Sequence, residues 1–295
     1  MPPIIGLLVS FTIFTVMFAL GLGLRGSTFA LSRHQPAVLG RILIGTCLLV
    51  PLAGLLLLEL PLAAKLSVPV RFAIALMVIC PSAPLALRRT SSPERASGLA
   101  ARIQVSAALL AILSIPLLAE LFTLVRPVSG WDIRPLDIAL QVTRVQLIPL
   151  AAGLLVKTWR PGWAERWTST INQVATALLV VMVVVLLAIT ASQLIPFLSQ
   201  NLFGLLVMTA MVAISLGIGY GLAGPDPSDR PTVALVTSTR NLGLAAQLAV
   251  VYGASIKGLI PAVLSYTLIS TVVSIIVLKL LAARVSMEQP KSSAS

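Results

Sequence analysis

Two short stretches of the chain carry residues that a plain lipid-facing helix would not hold. In one, Thr237, Ser238, Thr239, Arg240 and Asn241 follow one another inside an otherwise apolar run. Polar and charged side chains at bilayer depth are costly unless they face a cavity or a partner. Arginine keeps its charge there and offers a planar fork of donors that suits carboxylates. In the other stretch, Cys80, Pro81, Ser82, Ala83 and Pro84 place two prolines three apart, with Arg88 and Arg89 shortly after. Each proline removes a backbone donor and clashes with the preceding turn, so a helix should break there. Irregular backbone at membrane depth is tolerated only where protein or trapped water satisfies it. The chemistry this permits is binding rather than bond-making. Half-helix N-termini and a fixed guanidinium would attract a small organic anion, with residues 237–241, Ala83, Pro84 and Arg88 as candidate contacts. The plainer readings are a proline kink, interhelical hydrogen bonds from small polar residues, and an Arg88 that marks a cytoplasmic helix end. For Arg144, snorkelling or structural pairing is the plainer role.

The elements that must position these residues follow from composition. Apolar residues make up 58% of the 295 and charged ones only 10%, with a mean hydropathy of +1.02. A water-soluble domain carries about 25% charged residues, so this chain expects lipid as its solvent. At roughly 20 apolar residues per span, nine stretches qualify: 3–24, 37–60, 70–87, 99–125, 136–157, 171–194, 202–223, 232–252 and 259–283. The first lacks the basic flank and cleavage pattern of a signal peptide and reads as a spanning helix. Breaker-rich connections such as RTSSPE, WRPGW and GPDPSDRP separate the spans. Residues 1–285 form one transmembrane domain in this reading, and 286–295 a disordered cytoplasmic tail.

The net charge of +12 does not describe a nucleic-acid surface, because the bases form no single patch. They gather in alternate connections. Arg25, Arg33, Arg41, Arg88, Arg89, Arg95, Arg102, Lys157, Arg160, Arg166, Arg230, Lys279, Arg284 and Lys291 fall on one side. Lys65, Arg71, Arg126, Arg134 and Lys257 fall on the other. The positive-inside rule then puts the N-terminus outside and the C-terminus in the cytoplasm of a cell (inner) membrane protein. Trp159, Trp163 and Trp167 suit an interfacial belt at one membrane edge. The cysteines, Cys47 and Cys80, lie in apolar segments and predict no disulfide framework. A pair of interrupted helices at corresponding positions of two halves points to a transporter site at the repeat interface. The expected fold is therefore all-α, an inverted repeat of four plus five spans with two discontinuous helices.

These same residues resemble the bile acid:sodium symporter family. The likeness rests on 17–24 (MFALGLGL), 79–84 (ICPSAP), 149–154 (PLAAGL) and 240–246 (RNLGLAA), the last similar to the family's QNSGLA segment. The resemblance implies a panel domain of spans one, five and six. It implies a core of spans two to four and seven to nine, in which the discontinuous spans three and eight cross at their broken points, with organic acids as substrates and two sodium ions as the usual partners. The family's sodium ligands are replaced. Its Ser-Asn pair after the Cys-Pro motif becomes Ala86 and Leu87, its glutamate Val236 and its following glutamine Arg240. A second-span glutamine becomes Thr46, and a fourth-span Ser and Thr become Gln104 and Ala108. Asn241 remains.

The residues agree with that loss. Every acid of the chain sits near a helix end or in a loop, and the one histidine, His34, is in a loop. The expectation is a carrier for a small organic anion by alternating access, sodium-independent, with Arg240 in place of a sodium ion and Thr46 and Gln104 near the crossing. It needs no metal and no cofactor, and the lipid bilayer is its surrounding; nucleic acid is excluded, and a homodimer is left open. A sodium-coupled symporter using carbonyl and hydroxyl ligands, a passive anion channel and a non-transporting membrane sensor are the alternatives. An enzyme is set aside, since there is no acid pair, no buried base and no ligand-spaced cluster.

Overall fold

The computed structural model describes residues 3–24, 36–81, 94–125, 134–224, 229–253 and 255–288. Every regular element among them is helical. The helices are α1 (Pro3–Gly23), α2 (Pro36–Ile44), α3 (Val50–Glu59), α4 (Val68–Ile79), α5 (Glu94–Val125) and α6 (Pro135–Val142). They continue as α7 (Ile148–Trp159), α8 (Pro161–Gln200), α9 (Leu202–Leu222), α10 (Arg230–Ser238), α11 (Leu242–Tyr252) and α12 (Leu259–Glu288). Among the described residues seven stretches are long and apolar enough to cross a membrane. The other two expected spans are short pieces: α4, and the pair α10 and α11. The molecule is an all-α membrane protein.

Two spans contain a widened turn, and proline explains both. Gly45–Leu49 joins α2 to α3 in π geometry, and Thr143–Leu147 joins α6 to α7 in the same way. Pro51 and Pro149 stand at the second residue of the helix that follows each. In the first, the Val50 N–H bonds the Gly45 carbonyl five residues back. Thr46 would then look to Pro51, which has no N–H to give. Its carbonyl is left for a partner from outside the helix.

Some helices meet backbone to backbone. A Cβ on Gly21 of α1 would strike the Leu150 carbonyl and lie 2.9 Å from the Leu154 nitrogen of α7. A Cβ on Gly153 would strike the Phe18 carbonyl in return. With no hydrophobic drive between helices in lipid, such small-residue contacts supply van der Waals attraction instead. Gly219 of α9 packs the same way, its Cβ direction ending 2.8 Å from Ala234 Cα of α10. In this packing α1 lies along α7 and α8, while α4, α9, α10 and α11 pack against α12.

Helix α8 departs from the sequence reading. Residues 171–194 were expected as the span, yet the helix starts at Pro161 and runs 40 residues. The polar stretch 161–170 continues the helix because a proline at its first position costs nothing there. A Lys157–Glu165 ion pair at 3.5 Å ties this start to α7. Trp159, Trp163 and Trp167 are all exposed there. At the far end the Asn201 amide oxygen accepts a 2.6 Å hydrogen bond from Ser67, just before α4. Helix α12 also outruns expectation, reaching Glu288 beyond the expected end at 283 and three residues into the stretch read as a tail.

Candidate functional site

The break after α4 is made by Pro81. The last turn closes with the Cys80 N–H on the Leu76 carbonyl, and Cys80 itself turns extended, φ −90° and ψ 92°. Pro81 cannot continue the helix, and Val78 lies in its last turn, where carbonyls have no intrahelical donor. The Val78 carbonyl is thus another acceptor turned outward at a helix C-terminus.

The break between α10 and α11 is made by side chains. The Leu235 carbonyl receives the Thr239 N–H at 2.9 Å, the Thr239 hydroxyl at 2.7 Å and the Ser238 hydroxyl at 3.1 Å. Hydroxyls that bond the backbone in this way compete with helix continuation. Thr239 turns extended, and Asn241 then opens α11 as its N-cap, its amide oxygen accepting the Leu244 N–H at 3.1 Å. The sequence order Thr-Ser-Thr-Arg-Asn is a helix end followed by a helix start.

The two breaks touch. The Asn241 N–H donates to the Cys80 carbonyl at 3.3 Å. Arg240, buried with 2% of its surface exposed, crosses between them. Its Nη1 donates to the Thr46 carbonyl at 3.1 Å, and its Nη2 donates to the Val78 carbonyl at 2.7 Å. The Thr46 carbonyl is left without a main-chain donor by Pro51, and the Val78 carbonyl by the end of α4. Among the described residues no carboxylate pairs with Arg240, so the helix ends meet its charge. Helices α4 and α10 both point their C-termini at this place, each worth about half a negative charge. Alongside, the Thr46 and Thr237 hydroxyls share a 3.2 Å hydrogen bond. Ser238 meets Ser274 of α12 at 3.3 Å, and Ser270 donates to the Ser238 carbonyl at 3.2 Å.

Of the residues expected from sequence, Thr46, Thr237, Arg240 and Asn241 come together at the crossing, with Ser238 on its α12 side and Thr239 bonded back to Leu235. Gln104 lies on α5, with its side chain outside what is described. Ala83, Pro84, Ala86 and Arg88 lie outside the described residues. Arg144 sits in the second widened turn and is exposed. Cys47 and Cys80 are free and buried. Sequence reasoning passed over Val78, Ser270, Ser274 and Tyr266. The serines carried a faint signal in their spacing of four, and a main-chain acceptor such as Val78 carries none.

A helix that ends at Ile79 and a pair of half-helices parted at 239–241, bonded to each other there, are the arrangement expected of a secondary transporter. The sequence matches the Sodium Bile acid symporter family over residues 10–197, more than half of the chain, and the protein belongs to that family. It is a membrane transporter and not an enzyme. The matched stretch runs from α1 into α8, so α4 lies within it and Arg240 beyond it. A search of curated proteins found no match.

Proposed function

We propose that the protein carries a small organic anion by alternating access without sodium, Arg240 taking the place of a sodium ion. The observation that supports this reading is the pair of hydrogen bonds from Arg240 to the Thr46 and Val78 carbonyls. In discontinuous-helix transporters, half-helix C-terminal ends and unwound carbonyls coordinate the coupling cation, while half-helix N-termini face the anionic substrate. Here a side chain occupies the cation's electrostatic role permanently. It offsets the negative ends of α4 and α10 and leaves the positive N-terminus of α11 for a carboxylate. The core that moves would comprise α2 to α5 and α9 to α12, against a panel of α1, α6, α7 and α8. The orientation with the N-terminus outside follows the loop charges, and the carrier would sit in the cell membrane.

The test is uptake of a radiolabelled small carboxylate into proteoliposomes with sodium replaced by choline. Uptake is expected to persist undiminished in choline and to fall at least tenfold in Arg240→Ala. Loss of uptake in choline would overturn the proposal and assign the hydroxyls of Thr46, Thr237, Ser238 and Ser274 to a sodium ion. A thermal-shift screen of short carboxylates, with and without sodium, would identify the substrate. Stabilisation by the hit is expected in both conditions and not in Arg240→Ala.

A further inference from the structure

Buried polar atoms nearly always find a hydrogen-bond partner, and one that does not calls for a water or an ion. Arg240 Nε is buried and unpartnered among the described residues, although both Nη atoms are bonded. The hydroxyl of Tyr266, on α12, is also buried and unpartnered, in a side chain with none of its surface exposed. These orphans belong together. Helix α12 packs against α10 and α11, which flank Arg240; Cys47 adjoins Thr46, and the Cys80 carbonyl meets Asn241. One helical turn further along α12, Ser270 reaches the Ser238 carbonyl. Tyr266 therefore stands on the part of α12 that backs the crossing. No direct hydrogen bond joins Tyr266 to Arg240, so their donors are free for a third group.

We propose that Arg240 Nε and Tyr266 Oη hold one small monovalent anion, a halide or a carboxylate group, at the back of the crossing. The chemistry around the gap selects an acceptor. Nε–H can only donate, and the phenol and the two thiols all carry hydrogens to give. Among the described residues no carboxylate competes. The Thr46 and Val78 carbonyls bond the Nη atoms, and Nε has no partner. The helix ends meet the charge of Arg240 and leave two buried donors without an acceptor, and one monovalent anion accepts from both with a charge-assisted bond. The proposal needs the buried guanidinium and no carrier cycle. It stands or falls separately from sodium independence.

The experiment measures binding rather than transport. Purified protein in gluconate buffer is titrated with chloride, bromide or formate at constant ionic strength, and unfolding is followed by intrinsic fluorescence. A saturable rise in Tm with at least one of these anions is expected. Tyr266→Phe, which keeps the ring and removes the hydroxyl, should weaken that binding tenfold or more. Chloride active and formate inactive would mark a resident halide, and formate active would mark a carboxylate of the substrate; either supports the site. No rise with any of the anions, or an undiminished rise in Tyr266→Phe, overturns it. Equilibrium dialysis with labelled chloride and formate on the wild type covers the case of a variant that fails to fold. Close to one bound anion per chain, with either label, is expected there, and none overturns the proposal.

Discussion

At the scale of single residues, Arg240 joins two spans with one side chain. Its planar fork reaches carbonyls on two different spans, Thr46 and Val78, at 3.1 and 2.7 Å. A lysine has charge without the fork, so Arg240→Lys should leave one of the carbonyls unpaired. The expected loss is about 1–3 kcal/mol of stability, read as a lower midpoint in chemical denaturation, with uptake reduced more than stability. The depth of Arg240 was legible in the sequence, because one arginine among apolar residues is conspicuous. Its partners were not, because backbone carbonyls carry no letter code. Pro51 and Pro81 were the visible traces: Pro51 removes the donor that would have occupied the Thr46 oxygen, and Pro81 ends the helix whose last turn holds Val78.

At the scale of elements, the widened turn before α3 is as much a part of the site as the breaks. Replacing Pro51 by alanine returns an N–H to the helix and gives the Thr46 carbonyl a main-chain partner that competes with Arg240. Folding should be preserved, since proline is the poorer helix former, while carboxylate uptake should fall severalfold; equal uptake would detach the turn from function. The α1–α7 contact makes a different prediction. Gly21→Ala places a methyl against backbone that cannot yield, and overpacking of this kind costs about 1–3 kcal/mol. A thermal midpoint unchanged from wild type would contradict the close approach. The existence of these helices could be read from apolar run length alone. Their widened turns and the early start of α8 could not, because periodicity is blind to a one-residue slip in hydrogen-bond register and to helix that continues beyond the lipid.

At the scale of the whole molecule, the nine apolar runs and the two interruptions were legible, and the identity of the helices that meet was not. Helix α1 meets α11 along Gly6, Ser10 and Ile13, facing Val250, Gln247 and Gly243. Within this small-residue stripe the Ser10 hydroxyl donates to the Gln247 amide oxygen at 3.1 Å. If α1 belongs to the panel and α11 to the core, Ser10→Ala should alter the uptake rate while moving stability by no more than about 1 kcal/mol. Ser10 and Gln247 lie 237 positions apart in the chain, and no pattern in either helix announces the other.

Helix α8 has a length that the bilayer does not require. Forty residues extend roughly 60 Å, about twice the hydrocarbon thickness of ~30 Å. One end exposes Trp163 and Trp167, beside Trp159, where an interfacial belt would hold it, and the other grips Ser67 through Asn201. A rod fastened at both ends converts membrane thickness into tilt, and this rod delivers its tilt to the residue that precedes the first broken helix. Turnover should therefore vary with the acyl chain length of the host lipids, and Asn201→Ala should flatten that dependence by cutting the tether.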